Sequence, residues 1–154
     1  MLKIFPPTVF FLSLVPLSVY AEPSTNDLSQ ACYRQFKSLS DVSMCAKNKF
    51  EASEQLLFQT EKKEPKMLDT WFEEEYFKKD SRRYMPISNK EFETYKYKYC
   101  AFSMSLMGHA NATAHEIRRL SCLTSLNLHY ISQLTTDLKD TQKKLGSGPI
   151  NLLN

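Results

Sequence analysis

Two stretches with helical periodicity, each containing one cysteine, flank a short turn in the second half of the chain. Apolar residues recur every three or four positions in residues 92–106 and again in residues 117–138, a spacing that places them on one face of an α-helix. Gly108 lies between the stretches and can end the first helix. The sequence therefore predicts a helical hairpin. The predicted core face of its first helix consists of Phe92, Tyr95, Tyr99, Phe102 and Leu106.

Both helices of this hairpin have a capping-box pattern at their predicted starts. Ser88 follows Pro86 and has Glu91 three residues later, and Thr113 has Glu116 in the same relation. In a capping box the first side chain accepts a hydrogen bond from the backbone, and the second side chain accepts one from the cap residue. The pattern predicts that the first helix begins at Ser88 and the second at Thr113.

The first 21 residues have the layout of a secretory signal peptide. Lys3 provides the positive charge, residues 4–17 form the apolar core, and the run Val-Tyr-Ala at residues 19–21 is a small-residue cleavage site. The apolar run is too short to span a bilayer and is interrupted by prolines. We therefore predict cleavage after Ala21, a periplasmic or secreted location, and no stable membrane insertion after cleavage.

Four cysteines follow the predicted signal peptide: Cys32, Cys45, Cys100 and Cys122. An even number of cysteines in an exported chain, with no C-x-x-C pair, favours two disulfides over metal or redox chemistry. Three pairings are formally possible. Pairing between sequence neighbours closes short loops that local helix geometry allows, so we predict Cys32–Cys45 and Cys100–Cys122 bonds. Each would stabilise the domain by about 2–4 kcal/mol.

The remaining sequence predicts one all-α domain at residues 22–145, followed by a flexible tail at residues 146–154. Leu28, Cys32 and Phe36 indicate a short first helix, and Ser40 or Asp41 can cap the next one. That second helix has an apolar stripe and ends before Pro65; the stripe consists of Val42, Cys45, Ala46, Phe50, Ser53, Leu56 and Leu57. The stretch between Pro65 and Pro86 predicts a short helix followed by a basic loop. The predicted fold is an up-down bundle of three main helices with short extra helices, joined by two disulfides.

Three short patterns resemble the lysozyme-inhibitor LprI-like N-terminal domain family, whose members are small exported helical domains with four cysteines. The first pattern is SDVSMC at residues 40–45, followed by FEA at residues 50–52 and by Leu57. The second places Phe92, Tyr95, Lys96 and Cys100 along one helix. The third is CLT at residues 122–124, with Leu134 further along.

This resemblance implies export and a helical fold, and for some members of the family it implies inhibition of lysozyme. The chain differs from the family at several positions. Phe92, Lys96 and Tyr97 replace the usual tryptophan, arginine and aspartate, and Tyr130 replaces the arginine that usually follows the fourth cysteine. Residues 66–84 resemble an insertion.

The sequence lacks the patterns of a catalytic or metal centre. No serine stands in the glycine-flanked turn that presents a nucleophile, and disulfides account for the four cysteines. His109, His115 and Glu116 lie close together, but their spacing differs from the i, i+4 histidine pair of zinc hydrolases. We predict no enzyme activity, no metal and no cofactor.

The predicted contact surface for a protein partner is residues 69–75. Its acidic and aromatic members are Asp69, Trp71, Phe72, Glu73, Glu74 and Glu75. Aromatic anchors are the side chains that dominate protein interfaces, and the carboxylates suit a cationic partner such as lysozyme. The alternative is that these aromatics cover the open end of the bundle.

The near-neutral charge balance argues against a nucleic-acid partner. The chain has a net charge of +3, and removing the one lysine of residues 1–21 leaves 19 basic and 17 acidic residues, or +2. Nucleic-acid binding needs basic residues concentrated on one face, whereas lysines and glutamates are mixed here. We therefore predict an exported binding protein, resembling lysozyme inhibitors, that occludes a partner protein. The competing prediction is an envelope structural or assembly accessory protein with no inhibitory activity.

Overall fold

The computed structural model describes residues 22–147, and within that range the chain is all-α, as the sequence predicts. The five helices are α1 (Thr25–Gln35), α2 (Leu39–Glu61), α3 (Glu64–Thr70), α4 (Glu75–Ser105) and α5 (Ala112–Ser147). The predicted signal peptide lies outside the described residues, as does the predicted tail beyond Ser147. None of the described helices is long and apolar enough to cross a membrane.

Both predicted disulfides are confirmed. Cys32 of α1 is bonded to Cys45 of α2, and Cys100 of α4 is bonded to Cys122 of α5. The Cα atoms are 5.8 Å apart in the first pair and 5.6 Å apart in the second. One bond therefore fixes the N-terminal helix pair, and the other fixes the α4–α5 hairpin.

Helix α5 is the central element of the fold, because α1, α2 and α4 all pack against it and α3 packs on α4. Near the start of α5, Ile117 and Leu120 are buried with Val42 and Ala46 of α2. Leu123 is buried beside the Cys100–Cys122 bond. The core thus consists of small clusters arranged along α5.

Helices α1 and α2 begin at serine caps. The Ser24 hydroxyl accepts a hydrogen bond from the backbone N–H of Asp27, and these two residues form a complete capping box. The Ser38 hydroxyl accepts from the N–H of Asp41, so α2 begins before the predicted caps at Ser40 and Asp41. Most of the predicted α2 stripe faces the interior, but Leu56 is 48 % exposed.

The predicted start of the hairpin at Ser88 is wrong. Helix α4 begins at Glu75 and runs through Pro86, so residues 78–83 are helical and do not form the predicted basic loop. Proline has no N–H for the helix ladder, and it usually ends or bends a helix. Here side chains on the next turn hold the helix in place, because Ser88 contacts Tyr130 of α5 and Asn89 contacts Glu64 of α3.

The predicted cap at Thr113 is also wrong. The side-chain oxygen of Asn111 accepts a hydrogen bond from the N–H of Ala114 at 2.8 Å, so Asn111 caps α5. Glu116 makes a two-bond contact with the Arg119 guanidinium and does not return to the backbone. Gly108 lies in the turn after α4 with φ of 59°, in the left-handed region that favours glycine.

The predicted core face of α4 is wrong at four of its five positions. Tyr95, Tyr99, Phe102 and Leu106 are 52 %, 45 %, 58 % and 70 % exposed, and the rings of Tyr95 and Tyr99 stack on each other at 5.6 Å. The buried face of α4 instead contains Lys96, Cys100 and Ser103. The disulfide requires Cys100 to face α5, and this rotates the tyrosines outward.

Candidate functional site

The predicted contact surface, residues 69–75, includes the end of α3, a short connection and the start of α4. Arg82 of α4 holds its two ends together. The guanidinium donates to Glu75 at 2.7 Å and to Asp69 at 3.0 Å. Because all three side chains are well exposed, these ion pairs order the segment more than they stabilise the fold.

The two predicted aromatic anchors of this segment differ in exposure. Trp71 is half-buried at the end of α3, and its indole N–H has no acceptor within the described part of the chain. Phe72 is 46 % exposed, and the next aromatics, Tyr76 and Phe77, are 67 % and 48 % exposed. Phe72, Tyr76 and Phe77 therefore present more surface to a partner than Trp71 does.

The three consecutive glutamates stand where α4 begins. Glu74 occupies the N-cap position without a side-chain capping bond, and Glu75 lies in the first turn. The positive end of a helix dipole favours acidic side chains at these positions. Glu73 is half-buried and Glu74 is exposed, so the segment presents negative charge next to the exposed aromatics.

A polar cluster that the sequence does not predict lies between α2, α4 and α5. Lys96 of α4 is completely buried. Its ammonium donates to Glu54 of α2 at 2.6 Å and to Asn127 of α5 at 3.0 Å, and it pairs with Glu93 at 2.6 Å. We call Glu54, Glu93, Lys96 and Asn127 the closed cluster.

The buried ammonium of Lys96 has enough partners in the closed cluster to stay charged. Burial by itself lowers the pKa of Lys96, but hydrogen bonds from its ammonium to Glu54 and Glu93 hold the pKa above its ordinary value. The amide of Asn127 donates to Glu54 and to the hydroxyl of Ser53, which completes the network. Lys96 therefore stays charged and fully bonded.

A pair of stacked rings connects the closed cluster to a second polar cluster. The Phe92 ring lies 5.6 Å from the Lys96 ammonium, and it stacks on Tyr130 at 4.0 Å between centroids. The Tyr130 hydroxyl donates to Asn89 at 2.8 Å, and the Asn89 amide donates to Glu64 at 3.2 Å. Glu64, Ser88, Asn89 and Tyr130 form what we call the open cluster.

The open cluster contains a buried carboxyl group, Glu64, whose negative charge has no cationic partner among the described side chains. Glu64 is only 6 % exposed, and burial raises its pKa although the Asn89 hydrogen bond lowers it. Burial also raises the pKa of Glu61, and the negative charges of Glu64 and Glu93 raise that pKa further. Among residues 22–141, whose side chains the structure describes, no cationic side chain forms an ion pair with Glu64.

The open cluster lines a groove between α3, α4 and α5. The groove has a volume of about 200 Å³, and its apolar walls are Leu68, Met85, Leu134 and Leu138. Its polar groups are Glu64, Ser81, Ser88, Asn89, Tyr130 and Asp137. A wider cavity of about 430 Å³ adjoins it and shares Ser88, Tyr130, Leu134 and Asp137. None of the residues that line this groove takes part in the ion pairs of Lys96.

Sequence reasoning missed both clusters because it placed the core face of α4 at Tyr95 and Tyr99, which leaves Lys96 off that face. One signal pointed toward the closed cluster. A polar residue four positions before a bonded cysteine lies on the same helix face as that cysteine.

The histidines of the hairpin turn do not form a ligand set. His115 contacts the Gly108 carbonyl at 3.1 Å, and Glu116 is bonded to Arg119. Across residues 22–147, no three histidine, cysteine, aspartate or glutamate side chains are grouped so that they could hold a metal ion.

Comparisons with known proteins return no match: no family model, no curated protein and no solved structure matches the chain. The resemblance to the lysozyme-inhibitor family therefore rests on the three sequence patterns alone.

Proposed function

We propose that this protein is an exported binding protein that occludes a cationic protein partner, as lysozyme inhibitors do. In this proposal the long helices α2, α4 and α5 run up, down and up, and they form a rigid support. The binding surface is the end of that support where α3 meets α4. Occlusion needs no chemistry from this chain, only a surface that covers part of the partner.

The observation that favours this proposal is an ordered surface combining exposed aromatic rings with excess negative charge. Phe72, Tyr76 and Phe77 provide the rings, and the segment 69–75 has four acidic side chains and no basic one. Aromatic side chains contribute most of the energy at interfaces, whereas surrounding charges raise the association rate with a partner of opposite sign.

The ion pairs of Arg82 support the same proposal, because they hold the segment in one conformation before binding. Arg82 bridges Asp69 on α3 and Glu75 on α4. A segment that is already ordered loses less conformational entropy on association, so more of the contact energy appears as affinity. Glu73 and Glu74 remain unpaired within the described residues and are free to meet a cation.

The test is a titration of lysozyme activity with the purified, oxidised protein. We expect stoichiometric loss of activity, and binding that weakens with added salt because exposed charges are screened. The variant Phe72→Ala/Glu74→Lys removes one anchor and reverses one charge, and it should weaken binding at least tenfold without a change in melting temperature.

A matched control places the same kinds of change on α2. Met44 is 55 % exposed and Glu51 is exposed, so Met44→Ala/Glu51→Lys alters one exposed apolar residue and one acid elsewhere. This control should bind lysozyme as the wild type does. Absence of lysozyme binding by the folded wild-type protein would contradict the inhibitor proposal and favour the envelope accessory prediction.

A further inference from the structure

The groove between α3, α4 and α5 combines apolar walls with an acidic end. Four apolar side chains line it, and the buried carboxyl group of Glu64 lies among them. Asp137 of α5 provides a second carboxyl group at the same groove. Small-molecule pockets commonly have this composition, with apolar walls and a few polar groups that set orientation.

The charges around the groove are unbalanced. The two clusters and the neighbouring Glu61 contribute carboxyl groups from Glu54, Glu61, Glu64 and Glu93, against the single ammonium of Lys96. That ammonium is bonded to Glu54 and Glu93 and is completely buried. Among the side chains of residues 22–141, the only hydrogen-bond partner of the Glu64 carboxyl is the neutral amide of Asn89.

A buried carboxylate without a cation costs stability, and proteins keep such groups mainly where a ligand or a reaction uses them. The geometry of the open cluster is fixed before any ligand arrives. Tyr130 is held by its stack on Phe92, and it orients the Asn89 amide toward Glu64. The groove is therefore preorganised around a negative group that lacks a counter-ion.

We propose that this groove binds a lysine side chain of the protein partner. The aliphatic stem lies along Leu68, Leu134 and Leu138, and the ammonium lies beside Glu64 and Asp137. This inference rests on the proposed function for the existence of a protein partner, but it does not depend on that partner being lysozyme.

The hydrogen bonding of Glu64 favours lysine over arginine. A guanidinium prefers a carboxylate with both oxygens available for two parallel hydrogen bonds. One oxygen of Glu64, Oε2, already accepts from Asn89. A single ammonium, which acts as a point charge, needs only the remaining oxygen.

The groove adjoins the proposed binding surface along α3 and α4, two of the three helices that form it. Leu68 lines the groove and is followed by Asp69, and Ser81 lines it and is followed by Arg82. A partner lying across residues 69–77 can therefore place one of its own side chains in the groove. The exposed aromatic rings would contact the partner surface around that side chain.

The test is a titration of the ¹⁵N-labelled, oxidised protein with the peptide acetyl-Gly-Lys-Gly-amide, followed by NMR. We expect shifts at groove residues, notably Leu68, Ser81 and Asn89. The norleucine peptide keeps the stem but lacks the ammonium, and it should bind at least tenfold more weakly. Equal binding of the two peptides, or shifts confined to other residues, would overturn the proposal.

Variants of the groove separate its charge from its shape. Glu64→Gln keeps the size of the side chain and should weaken binding of the lysine peptide at least fivefold. Asp137→Asn should weaken it by a smaller factor, because Asp137 is exposed. Glu91→Gln, on an exposed position of α4, is the control and should bind as the wild type does. An unchanged affinity in Glu64→Gln would overturn the proposal.

Two further measurements identify the source of the ammonium. Pentylamine supplies the same stem and charge without a peptide, and binding as tight as that of the lysine peptide would indicate a free alkylamine site instead. With lysozyme as the partner, Glu64→Gln should lower affinity, and lysozyme binding that Glu64→Gln leaves intact would overturn this inference alone. No lysozyme binding by the wild type, together with normal binding of the lysine peptide, would overturn only the inhibitor proposal.

Discussion

Lys96 and Glu64 are both buried charged side chains at the contacts of α4 with its neighbours, but their surroundings differ. The Lys96 ammonium has two carboxylates and one amide oxygen within 3.0 Å. The Glu64 carboxyl group has one amide donor at 3.2 Å and faces a groove. The closed cluster is therefore complete without a ligand, whereas the open cluster is not.

This difference shows how a buried charge can serve either structure or binding. A buried ion pair is costly to break, because removing one partner leaves the other charge uncompensated. A buried carboxylate without a cation instead lowers stability as long as it stays charged. The two clusters should therefore respond in opposite directions when a charged side chain is replaced by a neutral one: the closed cluster should lose stability, and the open cluster should gain it.

The largest expected effect is at Lys96. Replacing it in Lys96→Met leaves Glu54 and Glu93 without their cation, and we expect a loss of about 4 kcal/mol in the free energy of unfolding. Lys98→Met, two residues away on the exposed side of α4, should change stability by less than about 0.5 kcal/mol. Urea denaturation measures both. Equal stability of the two variants would show that the closed cluster is not structural.

Adding Glu54→Gln and Glu93→Gln to Lys96→Met sharpens this test. Neutral partners no longer leave an uncompensated charge, so the triple variant should recover part of the lost stability. If the three changes add without recovery, the loss in Lys96→Met arises from packing and not from charge.

The second effect concerns the bond that fixes the closed cluster. Removing it in Cys100→Ala/Cys122→Ala frees a loop with a sequence separation of 22, and this should cost about 3 kcal/mol. Hydrogen exchange should accelerate most near Lys96, one turn from Cys100. Cys32→Ala/Cys45→Ala, which opens the α1–α2 bond, should cost a similar amount and should leave exchange near Lys96 slow by comparison.

The disulfides and the buried faces of α1 and α2 could be predicted from the sequence, but the two polar clusters could not. The cysteine spacing correctly predicts both disulfides, and the stripes of α1 and α2 correctly predict buried Leu28, Val42 and Ala46. On α4 the apolar spacing of Tyr95 and Tyr99 outweighed the signal of Lys96, one of the two lysines between them. Hydrophobic periodicity cannot predict that a lysine is buried. Lys96 is buried because Glu54 of α2 and Asn127 of α5 bind its ammonium, and those partners come from two other helices.

The predicted starts of α4 and α5 were wrong for a related reason. Ser88 and Thr113 have good capping patterns, but tertiary contacts and a better local acceptor decide the actual starts. Ser88 is bonded to Tyr130 across the bundle, and Asn111 caps α5 two residues before Thr113. A groove formed by three helices also depends on how α3 docks on α4, and no local pattern indicates that docking.

The third effect has the opposite sign. Glu64→Gln should raise the free energy of unfolding by about 1 kcal/mol at neutral pH, because the amide avoids a desolvated charge and can still accept from Asn89. Glu91→Gln, on the exposed side of α4, should have no measurable effect. A clear loss of stability in Glu64→Gln would mean that its carboxylate has a cation in solution, and the two clusters would then be alike.

The pH dependence of that gain follows from the raised pKa of Glu64. The folded protein holds the proton more tightly than the unfolded chain, so the wild type loses stability as pH rises from the ordinary value of 4.5 through the raised pKa. Glu64→Gln has no such loss. Its advantage in melting temperature should therefore be small at pH 4, grow as pH increases, and then stay constant.

The smallest effect is at the connection between the clusters. Tyr130→Phe keeps the stack on Phe92 but removes the hydroxyl that donates to Asn89, and this should cost about 0.5–1 kcal/mol. It should also weaken binding of the lysine peptide, since Asn89 is no longer oriented. Phe92→Leu is the comparison that removes the stack while the hydroxyl remains. If Tyr130→Phe binds the peptide normally, orientation of Asn89 has no role in the groove.

The most direct measurement of the difference between the clusters is a ¹³C NMR titration of the Glu64 carboxyl group, with and without the lysine peptide. We predict a pKa above the ordinary value of 4.5 in the free protein, because the group is buried with one neutral partner. Bound lysine should lower that pKa by supplying the missing cation. A pKa at or below 4.5 in the free protein, or one that the peptide leaves unchanged, would contradict the assignment of Glu64 as a buried carboxylate awaiting a ligand.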